Sequence, residues 1–522
     1  MKPACFARRA GEAGGLGGGV DVLHFLGNGF ATALTPTNLL YCFVGALIGT
    51  LVGVLPGIGA TVSIAILTPI SVGLGPTTAI IMLAGIYYGA MYGGSTTAIL
   101  INIPGEAAAV ATTLDGYKLA RQGRAGPALG MAAISSFVAG TGSLVLLMLL
   151  AMPLASYALA FGPPEYFALM TLGLTIVVSL AGKSLAKGLL SGIFGMLLST
   201  VGIEPVTGQY RFTFGIVDLM GGIDFVAVVV GLFAIPEVLE NMEEEALQVY
   251  ETKLKGIFPT LEDWRVSIGA MVRSTLIGFF IGVLPGSSGA VAAFLAYDVE
   301  KKCSKHPERF GEGAIEGVAA AEGANNAAVS GAFVPLLSLG IPVSAPLAVL
   351  LGAFMIHGLK PGPLLFEKNP EFVWALIASM YVGNVILLVL NLPLVGLWAR
   401  LVNIPYPVLA PGILALCFVG AWGIRESFFD VGVAFGIGFV GYLMRKLEFP
   451  TAPVVLALIL SPMLESALRQ SLTISKGSLT IFVSRPVSAI LLTLAVASVG
   501  YALYSRKKEA KATESFIAAI NQ

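Results

Sequence analysis

The chain has 522 residues, of which 56% are hydrophobic and 11% charged, with a mean hydropathy of +0.87. A soluble domain carries about 25% charged residues, so the composition excludes an ordinary soluble protein. Thirty basic and thirty acidic residues balance, which leaves no positive surplus to favour nucleic acid as a partner. Long stretches, such as that between Asp21 and Glu106, contain no charged residue. A spanning helix needs about 20 apolar residues, so we expect an all-α polytopic membrane protein with about twelve transmembrane helices.

The N-terminal segment, residues 1–20, is rich in glycine and alanine and has no apolar run behind its basic residues. This pattern is not that of a cleavable signal peptide. We therefore expect a flexible lead-in before the first membrane segment.

The first interruption of the apolar sequence is "GVLPGIGAT", residues 53–61. Proline lacks a backbone donor and glycine leaves helical geometry at low cost, so a helix should break here. In lipid each unpaired backbone group costs several kcal/mol, and such breaks persist where protein or a polar cavity supplies partners. Gly57 and Gly59 are therefore candidate ligand-binding residues.

The second interruption is "YYGAMYGGSTTAILINIPGEAA", residues 87–108. Hydroxyls, amides and helix N-termini suit a carboxylate substrate that must be released again, because they donate hydrogen bonds without a fixed counter-charge. Ser and Thr in membrane helices also commonly bond to their own helix, and that structural role stays open here. The candidates in this segment are Ser95, Thr96, Thr97, Asn102, Pro104 and Gly105.

A charged segment, residues 246–264, is predicted to link two halves of the chain. Beyond it, "GVLPGSSGA", residues 282–290, repeats the first interruption and makes Gly286 a candidate. The connection that follows, "DVEKKCSKHPERFGE", carries four Lys and Arg residues. The excess of basic residues in cytoplasmic loops predicts that this connection lies in the cytoplasm.

The last polar segment is "AEGANNAAVSGAFVPLLSLGIPVSAP", residues 321–346. Buried amides need partners, which strengthens the case that the adjacent asparagines contact substrate or ion. Glu106 and Glu322 border long uncharged stretches and are candidates to hold a coupling cation, Na⁺ or H⁺, although carboxylates at helix ends near the membrane interface give the same pattern. The other candidates here are Asn325, Asn326, Ser338, Gly340, Pro342 and Ser344.

The two halves repeat one design. The aligned prolines are Pro56 with Pro285, Pro104 with Pro342, Pro205 with Pro450 and Pro236 with Pro462, at offsets of 229, 238, 245 and 226 residues. Four ordered matches at similar spacing predict a duplication, with a first membrane repeat over residues 21–245 and a second over residues 265–505. Residues 506–522 begin with three basic residues after an apolar run, which predicts a cytoplasmic tail.

Charge predicts that the repeats are inverted. The connection "TPISVGLGP" after the first break has no charge, whereas its counterpart in the second half is basic. Equivalent connections on opposite faces of the membrane are typical of inverted-repeat secondary transporters. We expect broken or re-entrant helices from both halves to meet near the midplane.

An enzyme is not expected. The sequence has no HExxH or GxSxG motif, and its midmembrane hydroxyls have no adjacent base. The four cysteines form no CxxC pair, so neither a metal site nor a cofactor is indicated. "AGKS", residues 181–184, lacks the earlier glycine of a phosphate-binding loop. Active transport by this chain would therefore use an ion gradient or another subunit.

Four long sequence segments resemble the TctA family, the large membrane subunit of bacterial tripartite tricarboxylate transporters. They are "GTLVGVLPGIGA", "LAGIYYGAMYGGSTTAILINIPGE", "TTLDGYKLARQGRAGPALG" and "EKKCSKHPERFGEGAIEGVA", within a likeness that covers about residues 21–500. The resemblance implies a multi-pass permease of the bacterial inner membrane. It also implies two partners, a small TctB-like membrane subunit and a periplasmic TctC-like solute-binding protein, with citrate-like or related carboxylates as substrate and a cation gradient as driving force.

Two positions depart from the family pattern. Val343 follows the proline of "GIPVS" where a small or polar residue is usual, and Ala321 precedes Glu322 where proline is more familiar. A larger apolar group at Val343 would narrow the pocket or change its substrate. The alternative function that the sequence leaves open is a passive carboxylate channel or facilitator of the same fold, which would not accumulate substrate against a gradient.

Overall fold

A computed structural model describes residues 18–55, 59–180, 184–204, 208–243, 256–284, 289–394, 396–398, 406–423, 425–500 and 503. Within this part, seven helices are long and apolar enough to cross a membrane, and five shorter apolar helices accompany them. The prediction of an all-α polytopic membrane protein is confirmed. The seven are Pro36–Val54, Ala125–Ala158, Phe225–Glu243, Leu261–Val283, Pro370–Asn391, Phe428–Lys446 and Ala452–Ile474.

The first half of the described chain is helical apart from one short hairpin. Its helices are α1 (Gly18–Ala33), α2 (Pro36–Val54), α3 (Gly59–Ser71), α4 (Pro76–Ile101), α5 (Val110–Arg121), α6 (Ala125–Ala158), α7 (Pro163–Leu180), α8 (Leu185–Ser199), α9 (Phe225–Val229) and α10 (Ile235–Glu243). A π-helical turn, Val230–Ala234, joins α9 to α10. Strands β1 (Gly202–Ile203) and β2 (Tyr210–Arg211) pair antiparallel, with Gly202 opposite Arg211.

The second half of the described chain is also mostly helical. Its helices are α11 (Leu261–Val283), α12 (Gly289–Cys303), α13 (Ile315–Leu339), α14 (Ala345–Ile356), α15 (Pro363–Lys368), α16 (Pro370–Asn391), α17 (Tyr406–Gly423), α18 (Phe428–Lys446), α19 (Ala452–Ile474), α20 (Ile481–Ser484) and α21 (Pro486–Gly500). Helix α1 begins within the predicted lead-in, and α11 begins within the predicted linker. Residues 1–17, 244–255 and 504–522 lie outside the described residues.

Both predicted kinds of helix break are present in both halves. Helices α2 and α11 each end at a leucine with extended backbone, Leu55 and Leu284. Helices α4 and α13 each end at a residue in the left-handed region, Asn102 with φ 62° and Gly340 with φ 73°. An Ile-Pro pair follows in each case, and proline cannot continue a helix by hydrogen bonding.

Helices α2 and α4 pack in parallel through a line of glycines. A Cβ placed on Gly45, Gly49 or Gly53 would lie 2.2–2.5 Å from a carbonyl oxygen of α4, in each case that of the residue 37 positions further along the chain. Because this separation is constant, the two helices run in the same direction. Small residues at four-residue spacing permit such close approach of helix backbones.

Helices α11 and α13 repeat this packing. A Cβ on Gly278 or Gly282 would lie 2.3 or 2.2 Å from a carbonyl oxygen of α13, 46 positions further along the chain. The separation between contacting residues is nine residues larger in this pair than in α2 and α4. The offset between the halves is likewise nine residues larger at the second break, 238, than at the first, 229. The predicted correspondence of the breaks therefore agrees with the register of two matched helix pairs.

At each end of the molecule, a connection of the first half lies beside a connection of the second half that is not its equivalent in the repeat. Because α2 and α4 are parallel, α3 returns toward the end where α2 begins. After α4 the chain advances again in the direction of α4, with Glu106 beside Gly94 and Gly116 beside Ile99. The connections after α3 and after α5 therefore lie at opposite ends of the molecule.

Hydrogen bonds show which connections of the second half lie beside the connections after α3 and after α5. Ser71, at the end of α3, bonds to His357 after α14 at 3.1 Å. Gln122, after α5, donates to the carbonyl of Glu312 before α13 at 2.7 Å. The connections after α3 and after α12, which the repeat makes equivalent, thus lie at opposite ends. This arrangement supports the inverted repeat, which stays a prediction.

A buried carboxylate joins the halves at the second of these ends. Asp115 Oδ1 accepts hydrogen bonds from the backbone N–H groups of Gly311, Gly313 and Ala314 at 2.8–2.9 Å. Its Oδ2 accepts from the Tyr297 hydroxyl at 2.8 Å. One side chain of α5 therefore fixes the chain entering α13, and a carboxylate is favourable at that helix N-terminus.

Candidate functional site

The centre of the protein is formed by α4 and α13. Every residue from Ala79 to Leu100 and every residue from Ile315 to Ser338 is buried. Both helices carry hydroxyls, and α13 also carries the amides of Asn325 and Asn326 and the carboxylates of Glu316 and Glu322. Polar groups at such depth need partners, so their contacts identify the candidate site.

Glu106 brings the two breaks of the first half together. Its Oε1 accepts a hydrogen bond from the backbone N–H of Ala60, in the first turn of α3, at 2.5 Å. A Cβ on Gly59 would lie 3.4 Å from the same oxygen. The positive N-terminal end of α3 thus contacts a carboxylate of the protein itself, as the helix dipole favours.

The backbone of this break requires glycine at position 105. The N–H of Gly105 donates to the carbonyl of Gly94 at 3.3 Å. A Cβ on Gly105 would lie 1.9 Å from the carbonyl oxygen of Gly53, so no side chain fits. Pro104 is partly buried beside it, and Asn102 is exposed and ends α4.

Asn325 lies where broken segments of both halves meet. Its Oδ1 is 2.7 Å from the position of a Cβ on Gly289, the first residue of α12. The same position is 3.0 Å from the side chain of Ala108, in the short 3₁₀ helix that follows Glu106. Asn325 is fully buried, and neither polar atom of its amide has a hydrogen-bond partner among the described residues.

Glu322 and Asn326 continue this polar face of α13. Thr112 of α5 donates a hydrogen bond to Glu322 Oε1. Asn326 Nδ2 donates to Ser136 Oγ of α6 at 2.7 Å and to the Glu322 carbonyl at 3.0 Å. Within the described part of the chain, Glu322 Oε2 and Asn326 Oδ1 have no partner. Helices α5, α6 and α12 therefore each contact this polar cluster of α13.

Three of the predicted hydroxyls bond within their own helices. Ser95 donates to the Tyr92 carbonyl, Thr97 to that of Gly94 and Ser338 to that of Val334, at 2.8, 3.3 and 2.6 Å. Thr96 is buried beside the first two. Each hydroxyl oxygen keeps lone pairs for a ligand, so their role in binding stays a prediction.

The second break of the second half is held by backbone contacts. A Cβ on Gly340 would lie 2.7 Å from the carbonyl oxygen of Pro361, and Pro342 is buried. Ser344 lies 3.5 Å from the Tyr87 hydroxyl of α4. The predicted site residues Gly57 and Gly286 lie outside the described residues.

Sequence reasoning missed several polar partners. Thr112 and Ser136 contact the α13 cluster directly, and Asn384 of α16 accepts a hydrogen bond from the Tyr92 hydroxyl at 3.4 Å. A signal existed for Ser136, because "SS" at positions 135–136 places two hydroxyls within a long membrane helix. Thr112 gave none, since it lies in an ordinary polar segment.

Comparison with known proteins gives a consistent result. The sequence profile of the tripartite tricarboxylate transporter TctA family matches residues 39–456. An Agrobacterium vitis protein described as an uncharacterized 52.8 kDa protein in the TAR-I ttuC' 3' region is 48% identical over 93% of this chain and 97% of its own length. A second, described as an uncharacterized protein in the TAR-II ttuC' 3' region, is 44% identical over 43% of this chain and 93% of its own. No solved structure gives a significant match.

Proposed function

Because the chain belongs to the tripartite tricarboxylate transporter TctA family, we propose that it is the large permease subunit of a binding-protein-dependent secondary active transporter. It imports citrate-like tricarboxylates or related carboxylates, driven by a gradient of Na⁺ or H⁺. The family is one of transporters and not of enzymes, in agreement with the sequence analysis.

The observation that carries this proposal is the convergence of the broken helices. Glu106 contacts the start of α3, and Asn325 lies between the start of α12 and the segment that follows Glu106. Helix N-termini supply N–H donors and a favourable potential for an anion. Buried carboxylates supply the negative charge that a coupling cation requires. This convergence supports a single region for binding both a carboxylate substrate and a cation.

The proposed partners are those that the tripartite context of the family implies. A small TctB-like membrane subunit and a periplasmic TctC-like binding protein complete the transporter, which works in the bacterial inner membrane. The placement of equivalent connections at opposite ends supports two inverted repeats, and one helix bundle then moves against the other to give alternating access.

The test is uptake of labelled carboxylates into proteoliposomes that contain this chain and its small membrane partner. The binding protein and imposed Na⁺ or H⁺ gradients are varied independently. Accumulation that needs both the binding protein and a gradient is the expected result. Equilibration without accumulation would instead favour the passive facilitator.

Two variants test the site within the same assay. Removing one partner from a buried polar contact costs about 1–3 kcal/mol, so Asn326→Ala and Ser95→Ala should weaken the apparent affinity roughly five- to a hundredfold. Gln470→Ala, at an exposed position of α19, is the control and should transport normally. Wild-type uptake by both site variants would contradict the proposed pocket.

A further inference from the structure

Three unpaired oxygens on one face of α13 form a polar cluster. Glu322, Asn325 and Asn326 occupy positions i, i+3 and i+4, which share one face of a helix. Each is at most 3% exposed. Glu322 Oε2, Asn325 Oδ1 and Asn326 Oδ1 all lack hydrogen-bond partners among the described residues. Buried polar groups are nearly always paired, so three unpaired acceptors on one face indicate a missing ligand.

The orientation of both amides places their oxygens in this cluster. Asn326 Nδ2 bonds to the Glu322 carbonyl, which only accepts, so the nitrogen is fixed there and Oδ1 is the free atom. Asn325 Oδ1 also has no hydrogen-bond partner in the described part of the chain.

The charge of the cluster is not balanced by the protein. Glu322 is fully buried and accepts one hydrogen bond, from Thr112. In the described part of the chain, none of the ion pairs involves Glu322. An isolated buried carboxylate is strongly unfavourable, and a single positive charge would neutralise it.

We infer that Glu322, Asn325 and Asn326 bind a sodium ion. Hard cations take oxygen ligands, and the three free atoms are all oxygens. A proton on Glu322 would satisfy one oxygen and donate to one other, leaving the third unpaired, whereas a metal cation satisfies all three. One carboxylate matches one monovalent charge. This assignment rests on the proposed function for its role in coupling, but binding itself needs neither substrate nor transport.

Sodium binding is measured on the purified full-length chain in lipid nanodiscs. Thermal unfolding is followed while NaCl replaces choline chloride at constant ionic strength, with KCl as a second reference, and ²²Na⁺ binding gives the affinity. A saturable rise in the unfolding temperature with Na⁺ is expected, since a ligand that binds only the folded state stabilises it.

Two variants locate the site. Asn325→Ala removes a ligand that makes no hydrogen bond, so the fold should survive while sodium affinity falls by roughly tenfold or more. Glu322→Gln should abolish saturable binding. Glu165→Gln is the matched control, because Glu165 is a buried carboxylate on α7 that pairs with Arg485; its sodium affinity should be that of the wild type.

Two results would overturn the inference. The first is a wild-type chain that binds no sodium, including one whose stability responds only to pH, which would make Glu322 a proton site. The second is unchanged sodium affinity in Asn325→Ala. Sodium binding with the expected losses but no carboxylate uptake would leave the site standing and reject the proposed transport function.

Discussion

The two central helices share a backbone design but differ in chemistry. At the offset of 238 residues, Glu322, Asn325 and Asn326 of α13 correspond to Ala84, Tyr87 and Tyr88 of α4. The second half therefore has a cluster of oxygens where the first has a methyl group and two aromatic rings. Parallel glycine packing and the left-handed helix end are kept in both halves. The comparison shows two helices of similar backbone geometry whose side chains differ at the positions that the predicted duplication makes equivalent.

In the segments that follow α4 and α13, the charged residue belongs to the first half instead of the second. Gly105 and Glu106 of the first half correspond to Val343 and Ser344 of the second. Here the first half carries the charge and the second does not. Each half thus contributes one carboxylate, and the two carboxylates come from different elements of the repeat. Exchanging residues between equivalent positions tests whether this asymmetry matters.

The largest effect is expected from Gly105→Val, which gives the first half the residue of the second. Overpacking typically costs about 1–3 kcal/mol, and a carbonyl oxygen 1.9 Å from the new Cβ cannot rotate away. We expect loss of folded protein or a fall of at least about 3 kcal/mol in stability, measured by thermal unfolding in detergent. Gly75→Ala is the control, since a Cβ there has nothing within 4 Å.

Asp115→Asn tests a contact that the second half lacks, because the equivalent residue is Ala353. Hydrogen bonds to charged groups contribute about 1.5–3 kcal/mol, and Asp115 accepts four. A loss of at least about 2 kcal/mol in unfolding free energy is expected. Asp298→Asn, which removes an exposed pair with Lys302, should cost less than about 1 kcal/mol. Equal losses would show that Asp115 does not join the halves.

Glu106→Ser introduces the neutral residue of the second half at the start of α3. A charge at a helix end contributes about 0.3–2 kcal/mol, so stability should fall by no more than this amount. Uptake in proteoliposomes should fall much further if Glu106 serves transport. Ser344→Ala, which removes the hydroxyl at the equivalent position, is the comparison, and the same loss of uptake in both variants would remove the proposed asymmetry.

The smallest effect is expected from Asn102→Gly. The left-handed conformation costs a side chain about 1–2 kcal/mol and glycine nothing, and asparagine is among the better tolerated residues there. Stability should therefore stay within about 0.5 kcal/mol or rise, whereas Asn102→Ala should lower it by about 1 kcal/mol. Normal uptake by Asn102→Gly would show that this residue serves the backbone conformation. Lost uptake would support its predicted role in substrate binding.

Much of the fold follows from local signals in the sequence. The Leu-Pro-Gly and Ile-Pro motifs predict helix breaks because proline and glycine restrict or release the backbone locally. The uncharged runs predict membrane helices because lipid excludes charge. Asn102 shows the limit of such signals. Its polar side chain suggested a ligand, whereas the left-handed backbone at the end of α4 accounts for an asparagine without one.

The contacts within the candidate site depend on tertiary packing. The position of Asn325 against Gly289 and Ala108 requires the register of α12 and α13 and the path of the other half. Glu106 was predicted to hold a cation, and the structure adds that it contacts the first turn of α3. Ser95 and Thr97 of α4 could be selected as polar, but only the structure shows which carbonyls they bond to.

The glycine packing of α2 against α4 restricts how this protein can move. Sliding or rolling one helix on the other would drive carbonyl oxygens into the opposing main chain, because no side chain lies between them to change rotamer. We therefore expect each pair, α2 with α4 and α11 with α13, to move as a single rigid body. Conformational change must then concentrate at the seams where side chains interdigitate, such as Tyr87 with Phe333, and in the short helices that follow each break.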